Sequence, residues 1–511
     1  CLSRGLGDVY KRQTLGNATY VGFASVLIIF LSLYFLKAIK EKYQLFIVYL
    51  AIGLNLLALF ISQSRGSILA FVGGGAIAIL AYFLLSQAKL SLKIFVLLAI
   101  FLWLFAFYQF LKTDYAFKII GIKRLAETIK DPRAYMARWI AWQIFLDAFK
   151  AKPVLGYGLE NSPVAFFKFF NPDLYNYEEA IFDRPHNKYI EILVTSGLVG
   201  AFFWLLFLVT IFYSIFKLGE NSYQISIALG LFSAYLLQNA VLFDMQASYL
   251  LFFFFLSLFS PKITETKKLK LLPERALIIN SFFAGLLIIA FSLNLFHFYI
   301  VHQIIKALYS PYPLGLEKFY YLSSFNTQFL PEIAIMTSRY LENNIAKIKT
   351  GEDIFKFLSI FERAYQKDPY DTRVFNILIT HLTRILEVKK ASGLDYKKEQ
   401  DLIEGLFKEF SQRYPNFPDI KLQYAQFLKG LGEKEKALKI LQEVKQNYRE
   451  SVRTIYYLAL AYLELGDNQK ALAYIDEAFK RGYQPLNQLQ YLIAIRIYKL
   501  NNQKEKYESL V

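Results

Sequence analysis

Apolar residues follow two different rhythms along this chain. Between about residues 20 and 299 they form long runs almost free of charge, whereas from Lys347 onward they recur every three or four positions among charged neighbours. The first rhythm belongs to helices with lipid on most sides, the second to amphipathic helices that bury one face. A bilayer core of roughly 30 Å takes roughly 20 apolar residues of helix, and lipid satisfies no exposed backbone group. By that measure eight spans are predicted, at 20–36, 43–61, 66–85, 92–111, 197–216, 223–243, 245–260 and 276–299. Only Asp244 separates the sixth from the seventh. One helix through both would be on the order of 55 Å long at 1.5 Å per residue, so a tight hairpin is expected instead.

The second half contains a repeat. Setting residues 417–450 beside 451–484 matches Tyr424-Ala425 with Leu458-Ala459, Leu431-Gly432 with Leu465-Gly466, Ala437-Leu438 with Ala471-Leu472, and Leu441 with Ile475. Matched small residues let two antiparallel helices approach closely, and each Leu-Gly pair ends a helix in a turn. The pattern resembles a tetratricopeptide repeat, which implies a soluble helical solenoid. Phe361-Glu362-Arg363-Ala364 with Asp368-Pro369 resembles the end of an earlier copy, and a capping helix is expected around residues 488–500. The predicted fold class is therefore all-α, a polytopic transmembrane helical bundle followed by an α-solenoid. The expected domains are a membrane domain at 14–300 with a long loop at 112–188, a linker or interfacial helix at 301–331, and a repeat domain at 332–511.

Composition agrees with two unlike halves: 55% of the 511 residues are hydrophobic and only 19% charged, too apolar for one soluble domain. A net charge of +17 would suit nucleic acid, but the basic residues of the first half sit in short loops, where they read as orientation signals and lipid-headgroup contacts. Lys37, Lys40 and Lys42, then Lys89 and Lys93, then Lys217, then Lys262, Lys267, Lys268, Lys270 and Arg275 all fall on one side of the predicted spans. That side is the cytoplasm by the positive-inside rule, so Arg65, the 112–188 segment, Asp244 and the repeats lie outside it. The single cysteine, Cys1, excludes a disulfide framework and a thiolate metal site. Residues 1–13 show no periodicity and look like a translated adapter, and they are set aside.

The 112–188 segment is longer than an ordinary connection, and such loops are usually functional. It reads as an amphipathic helix through 134–149, with Arg138, Trp142 and Phe145 on one face against a membrane surface, then a turn at 153–158, an aromatic stretch, and Asp183-Arg184-Pro185-His186-Asn187. His186 at the water-facing start of a membrane helix suits a general base, although an isolated histidine there more often only caps. Arg65, within Ser62-Gln63-Ser64-Arg65-Gly66, would on general grounds be a snorkelling anchor. Its serine and glycine neighbours add hydroxyls and backbone N–H groups able to cradle a phosphate. His297 and His302 read as interfacial, and His381 as surface.

Gly16-Asn17 before a span, Ser-x-Ser-Arg-Gly at 62–66, Arg138-Trp139, Pro-x-Leu-Gly-x-Gly at 153–158, and His186-Asn187 followed by Gly197 and Gly200 occur in that order around one long loop. Together they resemble the O-antigen ligase and polymerase superfamily over about residues 15–256. The resemblance implies a membrane glycosyltransferase moving a glycan from an undecaprenyl-diphosphate carrier to a lipid, glycan or protein hydroxyl, with no cofactor and no metal. His186 would be the base, and Arg65 and Arg138 the clamp on the departing diphosphate. Arg184, Asp183, Ser64 and Asn187 would assist in substrate binding, Arg184 on phosphate and Asp183 by orienting His186. Membrane lipids and a protein docked on the repeats are the other expected partners, nucleic acid is not, and the expected location is a bacterial inner membrane with the repeats on the periplasmic side. Two alternatives remain. A transporter would show broken helices with charge near the midplane, and an assembly scaffold would depend on its repeats alone.

Overall fold

A computed structural model describes residues 18–508 except 120, 131–132, 178–180, 218–220, 245, 259–272, 326, 345–350, 449–450, 484 and 486–487. Gly16-Asn17 and the first thirteen residues lie outside the described part. Every regular element among the described residues is helical. The predicted spans coincide with α1 (Ala18–Phe35), α2 (Lys42–Ser62), α3 (Arg65–Leu85) and α4 (Leu90–Leu111) before the long loop. After it come α8 (Lys188–Lys217), α9 (Ser222–Asn239), α10 (Gln246–Leu258) and α11 (Pro273–Leu308). The loop itself folds into α5 (Lys123–Lys130), α6 (Arg133–Ala151) and α7 (Ser162–Lys168). Among the described residues, α1 with its short extension, α2, α3, α4 and α8 are long and apolar enough to cross a membrane.

Packing explains which of these helices form the centre. α1 buries Val26, Leu27 and Phe30, and α3 crosses α9 so closely that their backbones touch. A Cβ on Gly74 would lie 2.6 Å from the carbonyl oxygen of Gly230, and one on Gly230 would lie 2.8 Å from that of Gly74. Small residues at such a crossing supply the close packing that lipid cannot drive by hydrophobicity. α2 and α4 instead expose Phe46, Leu54, Phe95 and Phe101, side chains suited to acyl chains. One end of this bundle gathers Lys37 over the Tyr223 ring, the Tyr223 hydroxyl on the Leu33 carbonyl, and Ser222 on the Leu85 carbonyl. The opposite end gathers the start of α1, the α2–α3 turn, the start of α8 and the end of α9, with Tyr20 against Phe243 and the Tyr189 hydroxyl on the Leu236 carbonyl.

The chain divides into two compact units, Cys1–Lys262 with Ser411–Val511, and Ile263–Phe410. The divisions between the units fall at 262/263 and at 410/411. Aromatic contacts give the reason: the Phe167 ring lies 5.4 Å from Tyr414 and 4.8 Å from Phe417, and Phe170 lies 5.3 Å from Phe417. These side chains join the long loop to the last helical hairpins, burying area that holds the two together.

Those hairpins show the period read from the sequence. α17 (Pro418–Leu431) and α18 (Lys434–Asn447) recur 34 residues later as α19 (Val452–Glu464) and α20 (Asn468–Lys480). Ala425 and Ala459, Ala437 and Ala471, and Leu441 and Ile475 are all buried, while Gly432 and Gly466 take φ of 93° and 83° in the turns. Arg453 pairs with Asp419 at 3.1 Å across the two copies. α21 (Gln488–Leu500) closes the series with Ala494 and Ile497 fully buried.

In the other unit α12 (Leu314–Ser323), α13 (Leu330–Glu342), α14 (Gly351–Lys367) and α15 (Thr372–Ala391) pack in sequence, and α16 (Lys397–Arg413) follows. His381 on α15 is not the surface residue expected from the sequence. Its ring is packed 4.6 Å from Phe357, and Nε2 lies 2.8 Å from the Ser338 hydroxyl. Burial, aided by the nearby Arg384 charge, pushes the imidazole down to about 4. The unfolded chain therefore takes up the proton first, near pH 6.5. The stabilisation from the neutral ring is complete above about 6.5 and lost as pH falls from there to about 4, a change of about 3 kcal/mol. The protection factors of the α13–α15 amides, hydrogen exchange corrected for the intrinsic rate at each pH, should fall between pH 7 and 4.5 in the wild type, and the His381→Gln variant should lose most of that dependence.

Candidate functional site

The α2–α3 turn is built to present Arg65. Gln63 adopts left-handed φ of 51° and its N–H bonds the Phe60 carbonyl, which ends α2. Ser64 then caps α3, its hydroxyl accepting from the Ser67 N–H and lying 2.8 Å from the Ser67 hydroxyl. Ser64 is buried, and its hydroxyl serves this cap. Arg65, at the first helical position, donates to the Thr128 hydroxyl of α5 and lines a cavity of about 480 Å³.

Arg138 lines the same cavity, with Trp139 and Trp142 beside it on α6. The expected placement of Phe145 against a membrane surface is corrected here. Phe145 is fully buried against Phe166 of α7, while Arg138 and Trp142 are half-buried and line the cavity. The physical cause is α7 and the chain after it, which cover the apolar side of α6 and take the place of lipid. Trp142 reaches further: its Nε1 donates to the Pro185 carbonyl at 2.8 Å, so the cavity wall holds the segment that carries His186.

His186 has φ of 52° and sits with its ring 5.9 Å from Phe182 and 5.3 Å from Phe243. Nδ1 lies 3.0 Å from the Arg184 carbonyl. Because a carbonyl only accepts, Nδ1 carries the hydrogen in a neutral ring and the lone pair is on Nε2, the arrangement a base requires. This backbone oxygen holds Nδ1 where Asp183 was expected to, and the Asp183 side chain is exposed. His186 is not among the residues lining the Arg65–Arg138 cavity; it stands next to it through the Trp142–Pro185 bond. Asn187 caps α8, its Oδ1 accepting from the N–H groups of Tyr189 and Ile190.

Arg184 is already engaged by carboxylates. It pairs with Glu160 and, at 3.1 Å, with buried Glu191, and it lies 4.9 Å over the Phe243 ring. Lys188 also pairs with Glu191 at 3.2 Å. Beyond Phe243, Asp244 is buried, accepting from the Tyr235 hydroxyl at 2.9 Å and the Ser248 hydroxyl at 3.2 Å. Burial raises its carboxyl above the usual range. Glu160, Lys188 and Glu191 were not singled out from the sequence, and Asp244 was read there only as the break between two spans. For Lys188 and Glu191 a signal existed: two ionisable residues in the first turn of a membrane helix, directly after His186-Asn187, are a functional hypothesis by default.

Two of the sequence motifs turn out to be one structure. α8 is broken at Gly197, where φ is 63° and ψ is −163°. The backbone groups around the break bond to the 153–158 turn: Tyr157 N–H to Val194 O and Gly158 N–H to Thr195 O, both 2.8 Å, and Leu198 N–H to Pro153 O, also 2.8 Å. A broken spanning helix was set as a mark of a transporter. Here the 153–158 turn takes up the freed backbone groups.

Helices able to span a bilayer, with Arg65 and Arg138 among the residues lining one cavity at a single end of the bundle, define a multi-pass membrane protein. The sequence model of the O-antigen ligase family matches residues 50–205, a stretch containing Arg65, Arg138, the 153–158 turn, His186 and both glycines. The match supports the O-antigen ligase superfamily and, with it, an O-antigen ligase or polymerase-like membrane enzyme working on lipid-linked glycan donors and acceptors. No curated protein matches the chain.

Proposed function

We propose that this protein transfers a glycan from an undecaprenyl-diphosphate carrier to an acceptor hydroxyl, at the periplasmic face of a bacterial inner membrane. The observation that carries the reading is the shared cavity of Arg65 and Arg138, tied by Trp142 to the segment bearing His186. A glycosyl diphosphate already has a good leaving group, so what the reaction needs is charge for the departing diphosphate and a base for the acceptor. Guanidinium groups supply the charge, pairing bidentately with phosphate oxygens without a metal ion. His186 Nε2 takes the acceptor proton, the acceptor oxygen attacks the anomeric carbon opposite the diphosphate, and the anomeric centre inverts. Arg184, held between Glu160 and Glu191, serves to fix the His186 segment rather than to bind phosphate directly. The hairpins from α17 to α21 act as a tetratricopeptide-like surface for a protein partner.

Reconstitution with an undecaprenyl-diphosphate oligosaccharide and lipid, glycan and protein acceptors tests the reading. His186→Ala should slow transfer by a factor of about 100 to 10,000, the usual worth of a positioned base, and chelator should leave the rate unchanged. Full-rate transfer in His186→Ala would reject the base, and loss of transfer on chelation would reject the metal-free route.

A further inference from the structure

His186 stands in a segment, 181–187, that holds no helix or strand, and its φ of 52° lies where residues other than glycine are uncommon. Such a conformation persists only when its surroundings fix it. Three anchors are described above: the Trp142 bond to Pro185, the carboxylates on Arg184, and the Phe243 ring against the imidazole. The fourth is Phe182, whose ring lies 5.9 Å from His186 and 6.2 Å from Phe166. Phe166, fully buried, lies in turn 5.6 Å from Phe167 and 5.7 Å from Phe170. Both of those rings meet Phe417 edge to face, at 4.8 and 5.3 Å.

Phe417 is the residue before α17, where the first repeat hairpin begins. A continuous series of rings, each at the spacing that aromatic pairs favour, therefore runs from that hairpin to the imidazole. Phe182, Phe166, Phe167, Phe170 and Phe417 are all buried, and an interior packed to crystal density transmits strain rather than absorbing it. We infer that Phe417 is a positioning residue for His186: the hairpin it begins braces α7, and α7 braces the segment that aims Nε2 at the acceptor. The inference rests on His186 as the base proposed above. It gives the repeats a part in the transfer step itself, whereas a tail that only docked a partner would leave that step alone.

The full chain is reconstituted with an undecaprenyl-diphosphate oligosaccharide and lipid, glycan and protein acceptors for kcat, and titrated in nanodiscs with the same donor for affinity. Phe417→Ala should lower kcat by a factor of about 10 to 100, the loss expected when a catalytic group sits about 1 Å out of place. Donor affinity should stay as in the wild type, because Arg65 and Arg138 do not belong to the series of rings. Phe417→Leu keeps an apolar side chain in the same space and should fall between the two in kcat. Leu441→Ala is the control: it empties a buried position of α18 that faces the second repeat copy, and should lower the melting temperature while leaving kcat unchanged. Wild-type kcat in Phe417→Ala, or in Phe417→Leu should the alanine variant not fold, would overturn the inference. An equal loss of kcat in Leu441→Ala would overturn it too, showing a tail needed only for stability. So would a parallel loss of donor affinity in Phe417→Ala, which would place the effect on the diphosphate clamp. Full-rate transfer by His186→Ala would instead remove the proposed base and this inference with it, whereas the preceding outcomes leave that base standing.

Discussion

Replacing Arg65 or Arg138 by alanine should each lower kcat/KM for glycan transfer by a factor of about 100 to 1,000, on the order of 3–4 kcal/mol of transition-state stabilisation. Charge on the bridging oxygen of the diphosphate grows as the glycosidic bond breaks, so a guanidinium facing the cavity gains more in the transition state than in the bound donor. Both side chains line that cavity, and Arg65 is fixed from the side by Thr128. Lysine at either position keeps the charge but loses the two-pronged geometry, so Arg65→Lys and Arg138→Lys should recover only part of the rate. The double alanine variant should fall short of the product of the two single losses, because both groups act on one leaving group. Rates come from the reconstituted assay, and melting temperatures check folding. Alanine variants that transfer within a factor of about three of wild type would remove the clamp from the mechanism, since three-fold is worth well under 1 kcal/mol.

The helices were legible because lipid imposes a simple rule on composition: each predicted span coincides with a helix, and even the hairpin at Asp244 follows from length alone. The start of α8 was not. The apolar run begins at Gly197, but the helix begins at Lys188, because Lys188 and Glu191 neutralise one another and Asn187 caps the turn they occupy. Hydropathy counts those residues as loop. The site was half legible for a related reason. Arg65, Arg138 and His186 stand out as polar residues at a water–lipid boundary, and the cavity brings the first two together. Which partners a side chain takes is a matter of tertiary contact. Nothing local in the sequence shows that Glu160 pairs with Arg184 or that Phe145 faces inward onto Phe166. The same holds for the tail, where a 34-residue period is visible in sequence but the grip of Phe417 on Phe167 and Phe170 is not.

Gly197→Ala should be the most damaging single methyl in the membrane domain, costing at least about 4 kcal/mol and leaving little folded protein. Two independent reasons add. At φ of 63° and ψ of −163° the backbone is in a region essentially reserved for glycine. A Cβ there would also stand 2.2 Å from the Val154 oxygen and 2.4 Å from its carbonyl carbon, both backbone atoms that cannot swing away. Gly156→Ala meets the mirror-image problem, with φ of 68° and a Cβ 2.5 Å from the Val194 oxygen. Gly53→Ala is the control, since nothing lies within 4 Å of its Cβ and it is inside α2. There the substitution should be neutral or stabilise by up to about 1 kcal/mol. Fluorescence-detected gel filtration and trypsin cleavage at Lys150, which precedes Ala151, give the readouts, and Gly197→Ala with wild-type yield, melting temperature and protease resistance would show the junction is not the constraint described. Any Gly197→Ala that does fold should still transfer poorly, unlike a variant damaged only in stability. The 153–158 turn sets the position of Glu160, Glu160 and Glu191 hold Arg184, and the Arg184 carbonyl fixes the tautomer of His186. Loosening the turn therefore reaches the proposed base through a continuous chain of bonds.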